Sequence, residues 1–184
     1  MELRAVRGRP VIAVDTGERL GAVQDALVDP QQRRVVALRI RRGGRFRGDL
    51  ADVPFEALHH LGPDAVTIPQ HGALRPAGEA EQGHLRIDDL ARLRVVTELG
   101  EARGRLDDVE FEPSSGLLTA LVVVPPGIGG VLGRRQSVPI ALVRAIGRDA
   151  VVLVASPAQV VEQRETSDDA AASGSGGPEE ASGE

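Results

Sequence analysis

The sequence predicts an all-β chain: two small antiparallel β-units in tandem, each closed or nearly closed and each with a short helical turn, then a disordered acidic tail. Three observations lead there. The chain repeats itself: Gly21 returns as Gly104, Asp25 as Asp108, Pro30 as Pro113 and Ala37-Leu38 as Ala120-Leu121, a constant offset of 83 residues. Self-similarity at a fixed offset marks a repeated structural unit. Within each copy, apolar segments of strand length alternate with turn signals. In each copy a glycine also sits inside the second strand, just before a break in alternation, which points to a bent, bulged sheet.

The elements follow in order. Pro10–Val14 is an apolar strand, and "DTGE" turns the chain into a second strand from Leu20 to Val28. "DPQQ" turns it again, with Pro30 fixing φ early in the turn. Arg34–Ile40 is a third strand, in which Val36, Leu38 and Ile40 alternate with Ala37 and Arg39. Thr119, Leu121 and Val123 repeat that face in the second copy. A fourth strand enters Val53-Pro54 and, later, Val138-Pro139. Proline cannot donate to a central ladder, so both belong at a strand end or edge. "FEALHH" and "IALVRA" read as helical turns leading into further strands, with "AVTI" and "AVVLV" closing the two copies. "RIDDLARL" reads as one more helical turn, with Asp88 or Asp89 as N-cap.

The second strand carries the most specific signal. Val23, Ala26 and Val28 are apolar, as are Leu106, Val109 and Phe111, so the step after Val23 and Leu106 is odd in both copies. A bulge near Gln24-Asp25 and Asp107-Asp108 accounts for it. An aspartate there accepts hydrogen bonds from the backbone N–H groups that a bulge leaves unpaired. Gly21 and Gly104 mark a tight bend. A structural role is therefore expected for both Gly/Asp pairs.

The resulting organisation is a first repeat over 1–69, a Pro- and Gly-rich linker over 70–85, a second repeat over 86–161 and a tail over 162–184. The tail holds seven acidic residues, one arginine and no large apolar residue but Val160-Val161 just before it. Such a segment buries too little surface to offset its ordering entropy. The net charge of −5 therefore resides mainly in the tail, and neither repeat is basic enough to read as a nucleic-acid module on charge alone. All 22 basic residues are arginine, a bias that a GC-rich genome produces without any function. The absence of cysteine excludes disulfides and thiolate metal sites. No secretory signal and no transmembrane segment are expected: the longest apolar stretch, from Leu117 to Gly133, is interrupted by Pro125-Pro126 and glycines. A cytoplasmic location follows as the expectation.

These motifs resemble the PRC-barrel family, which includes the cytoplasmic domain of the photosynthetic reaction-centre H subunit and the C-terminal domain of the ribosome-maturation factor RimM. The resemblance rests on Gly21-Ala22-Val23-Gln24-Asp25 and Gly104-Arg105-Leu106-Asp107-Asp108. It continues through "VDPQQRRVVAL" and "FEPSSGLLTAL", then "DVPFEAL" and "SVPIALV". It implies two small, strongly bent β-barrels in tandem. The H-subunit type carries a membrane helix before its barrel, and the RimM type a different N-terminal domain. Neither precedes the barrel here, so neither role carries over directly.

No catalytic constellation is legible. "GIGGVLGRRQS" has Leu132 where a dinucleotide or phosphate loop requires glycine, and the chain has no lysine. His59-His60 lacks a partner at ligand spacing, so no metal or other cofactor is expected. The expected function is that of a non-enzymatic adaptor with an unidentified protein partner. Two hairpin tips are the contact candidates: a basic one with Arg39, Arg41, Arg42, Arg45 and Arg47, and an apolar one with Ile128, Val131 and Leu132. The basic tip also supports an alternative, an RNA- or ribosome-associated factor that neutralises phosphates. Only three Phe and no Trp or Tyr are present for base stacking. The apolar tip is in addition a candidate for peripheral contact with a membrane surface.

Overall fold

Among the described residues fourteen strands form two sheets, each built mainly from one sequence repeat. The computed structural model describes residues 1–43, 48–78, 83–126 and 134–155. Arg45, Arg47, Ile128, Val131 and Leu132, together with the tail 162–184, lie outside the described residues. Met1–Leu153 make one compact unit, and of the second, Val154–Glu184, only Val154 and Ala155 are described.

The first repeat contributes β1 (Pro10–Ala13), β2 (Arg19–Asp29), β3 (Arg34–Arg41), β4 (Leu50–Pro54), β5 (His60–Leu61), β6 (Val66–Ile68) and β7 (Arg75–Pro76). They run in the order β5-β6-β1-β2-β3-β4-β7, and β8 (Leu85–Arg86) adds to β2. A helical turn, α1 (Ile87–Leu90), opens the second repeat. It is followed by β9 (Arg94–Thr97), β10 (Ala102–Phe111), β11 (Leu118–Val124), β12 (Gln136–Pro139), β13 (Val143–Ile146) and β14 (Ala150–Leu153), ordered β12-β11-β10-β9-β14-β13. Both sheets are antiparallel except at one pair each, β1 with β6 and β9 with β14. The expected helical turns appear as 3₁₀ turns at Phe55–Ala57 and Ile140–Leu142, each directly after a strand-ending proline. In α1, Asp89 sits at the third helical position and accepts the Arg86 N–H at 3.3 Å, so neither Asp88 nor Asp89 is the N-cap.

The bulges fall where the apolar spacing placed them. The β2–β3 register shifts between Val23 and Asp25, and the β10–β11 register between Leu106 and Asp108. Gly21 and Gly104 lie just before, where a side chain would collide with the carbonyl of Arg41 or Val124 on the neighbouring strand. Only glycine permits that backbone approach.

The segment expected to be a linker carries structure of its own. Arg75–Pro76 pairs with β4, and Leu85 pairs with Val28. β2 has the length for this: β1 covers Arg19–Ala22, and β8 covers Leu27 and Val28 farther along. The reciprocal contact is made by the N-terminus. Glu2 bridges to Glu110 on β10, the Leu3 N–H donates to the Val109 carbonyl at 2.9 Å, and the Phe111 N–H donates to Met1 at 2.9 Å. Each repeat thus lends its first residues to the long strand of the other.

This exchange explains why the central strands are buried on both faces. Ala26, Leu27 and Val28 are all inaccessible, because one face of β2 turns into its own barrel and the other meets the second repeat. The hairpin turns also interlock, with Val35 N–H to the Gly116 carbonyl and Leu118 N–H to the Arg33 carbonyl, both 2.8 Å. Phe55 meets Phe111 edge to face, with ring centroids 6.3 Å apart. A single apolar core therefore runs through both repeats, from Leu3 and Val6 to Ile146 and Val151. Among the described residues no helix is long and apolar enough to cross a membrane.

Candidate functional site

The Gly/Asp motif is structural in both copies. Asp25 Oδ1 accepts the N–H of Ala26 at 2.9 Å and of Ile87 at 3.2 Å, and its Oδ2 accepts Arg86 Nε at 2.9 Å. Arg7 Nη2 lies 3.4 Å from Oδ1. Asp108 Oδ1 accepts the N–H of Val109 at 2.8 Å, and its carboxylate accepts the N–H of Arg4 at 3.2 and 3.3 Å. Burial pushes the Asp108 carboxyl above the usual carboxylate range, against the opposing pull of those backbone donors. Each aspartate fastens its own bulge and also the first residues of the other repeat.

Those features decide the family. A PRC-barrel domain model matches residues 1–75 and again 82–160. The chain belongs to the PRC-barrel family. Among curated proteins, none matches it. The two matches divide the chain as the two sheets do, apart from β8, which lies in the second match and joins the first sheet, so this member is a tandem PRC-barrel protein whose modules share one core.

The arginines of the first PRC-barrel repeat are not a free basic tip. Arg39 is buried at 4 % exposure, and its guanidinium holds Asp52 bidentately, Nε–Oδ1 at 2.8 Å and Nη2–Oδ2 at 2.9 Å. Asp52 faces it directly across the β3–β4 ladder, which is why a strand arginine that reads as outward-facing turns into the protein. Asp52 also accepts the N–H of Gly78 at 3.1 Å. Arg41 Nε donates to Gln24 Oε1 at 2.9 Å, and Arg42 Nη2 lies 3.0 Å from His71 Nε2. Of the predicted basic cluster, the described members are thus engaged within the first repeat.

A wide opening lies on the second repeat. A groove of about 950 Å³ opens over β9, β10 and the end of β11. Its lining is small or apolar (Val96, Ala102, Val124 and Pro125 among others) except for Arg94, Arg105, Asp107 and Arg135. Arg135 is occupied, with Nη2 2.9 Å from Glu2 Oε2 and Nε 2.8 Å from Asp107 Oδ2. In the first repeat Arg41 stands for Val124 and Gln24 for Asp107, and those two side chains bond to each other across the surface. No motif announces the groove. The signal that finds it is the difference between the copies, arginine to valine and proline at 41–42 against 124–125.

The buried carboxylates Asp25, Asp52 and Asp108 lie outside this groove, and backbone donors or guanidinium groups hold each of them. Among the described residues no three His, Asp or Glu side chains gather as a metal site.

Proposed function

We propose that this tandem PRC-barrel protein is a non-enzymatic adaptor of the cytoplasm that docks a protein partner on its second repeat. One observation carries the reading: the groove over β9–β11 presents an open apolar floor where the first repeat is crossed by the Arg41–Gln24 bond. Open apolar surface rimmed by polar groups is the usual form of a protein contact. The shared core supports the same reading, because it fixes the second repeat's outer surface on a frame built from both modules.

The test is capture of partners from the source cytosol by the full chain, with and without nuclease, beside the Val124→Glu variant. A defined protein that survives nuclease and is lost with Val124→Glu, at unchanged circular dichroism, supports docking in the groove. A ribosomal set that collapses with nuclease, and is retained by Val124→Glu, replaces it with the RNA-associated reading.

A further inference from the structure

Arg94 and Arg105 face each other across the β9–β10 ladder. Residues directly opposite in an antiparallel pair place their Cβ atoms roughly 5 Å apart on one face of the sheet, and like charges there repel. Both arginines are exposed and both line the groove. The nearby acids have other partners: Asp107 pairs with Arg4 and Arg135, and Glu101 with Arg103. Neither Arg94 nor Arg105 has an acidic partner among the described residues. The first repeat has Pro10 opposite Ala22 at the equivalent place, so the barrel does not need a cationic pair there to fold.

We infer that the Arg94–Arg105 pair recognises a carboxylate on a partner polypeptide, an acidic side chain flanked by apolar residues that lie on the groove floor. The inference deepens the docking reading and rests on it. Two guanidinium groups on one face supply planar forks that grip a carboxylate bidentately, and an anion between them converts mutual repulsion into attraction. The floor selects the rest of the ligand. Val96, Ala102, Val124 and Pro125 offer contact to apolar side chains and nothing to a bare anion. Nucleic acid fits poorly, because the lining holds no aromatic side chain on which a base stacks.

The experiment is selection of displayed random dodecapeptides on the full chain, then binding of the enriched peptides, as fluorescent synthetic copies, to wild type and to Arg94→Gln/Arg105→Gln. Labelled poly(U) is titrated in parallel. The expected result is a consensus with Asp or Glu beside apolar residues. Its affinity falls about tenfold or more in the double variant and also falls when the apolar neighbours are changed to Ser. The double variant should melt no lower than wild type, since it removes a repulsion, and that measurement separates lost recognition from lost fold. Peptides that enrich without an acidic residue, or that bind the double variant equally, overturn acidic recognition while leaving groove docking standing. Failure of any peptide to enrich, with poly(U) binding that depends on the two arginines, overturns both. Failure of peptide and poly(U) alike also overturns both.

Discussion

The carboxylate of Asp25 accepts the backbone N–H of Ile87 at 3.2 Å, across a sequence separation of 62 residues. Its counterpart, Asp108, accepts the N–H of Arg4 at 3.2 Å. Ile87 follows Arg4 by the same 83 residues that separate the two aspartates. The tandem PRC-barrel is therefore a reciprocal exchange: each module's motif aspartate holds the leading turn of the other. The bulge leaves a backbone N–H, of Ala26 or Val109, for the motif carboxylate to accept, and the same carboxylate accepts an N–H from the leading turn of the other module.

The exchange predicts that neither module folds alone. Residues 1–78 lack β8 and α1, which cover β2, and residues 83–184 lack the Met1–Val6 segment that covers β10. Each half would also expose its side of the shared core, and a unit of that size buries little to begin with. Separately expressed halves should give circular dichroism spectra without the native β signal, and mixing them should restore it. A cooperative melt from either half alone defeats this account.

The two motif aspartates should differ in cost when replaced. Asp25→Ala leaves two backbone N–H groups and the Arg86 guanidinium without their acceptor, a loss of about 3 kcal/mol. Asp108→Asn keeps an acceptor for Val109 and Arg4 and removes a buried charge, so it should cost about 1 kcal/mol or less. Urea denaturation of both variants at neutral pH measures the difference, and equal losses would contradict the assignment.

Asp108 also gives the protein an acid-side signature. Its folded carboxyl holds its proton more tightly than the unfolded one, because burial raises its pKa. Where the folded state binds more protons, stability falls as pH rises. The penalty is fully present above the raised folded pKa and is relieved as pH drops through it toward the unfolded value of about 3.9. Asn does not titrate, so in urea melts across that acid range the stability of wild type relative to Asp108→Asn should rise as pH falls. A difference between them that is independent of pH would show that Asp108 does not carry this linkage.

Much of this architecture is legible in the sequence because it is local. The odd apolar step at Val23 and Leu106 marks the bulges, Gly21 and Gly104 mark the close approach, and Pro54 and Pro139 end their strands. What the sequence hides is non-local. Met1–Val6 has no strand pattern, since its pairing partners lie on β10, more than a hundred residues away. The parallel neighbours β6 and β14 are written as ordinary apolar strands, and nothing in "AVTI" specifies which strand lies beside it. Alternation assigns Arg39 to the outside, but the side chain is buried and Asp52 across the ladder supplies its partner. The groove escapes for another reason: it is made by what the second copy lacks relative to the first.

The comparison between copies yields one more prediction, at Arg39. Arg39 pairs with Asp52 across β3–β4, and the equivalent ladder pair in the second repeat is Val122 with Ser137. The same position in the same fold is thus filled once by a buried ion pair and once by an apolar–hydroxyl pair. Removing one partner of a buried pair leaves the other charge uncompensated, at about 3–5 kcal/mol, whereas replacing both is often close to neutral. Arg39→Val alone should therefore destabilise by about 3 kcal/mol, and Arg39→Val/Asp52→Ser should recover most of the loss. The recovery will be incomplete, because Asp52 also holds the Gly78 N–H at 3.1 Å. Urea denaturation of the two singles and the double closes the cycle. Additive losses would mean that the pair contributes through each residue's separate packing, and that the second repeat's valine and serine are no guide to the first.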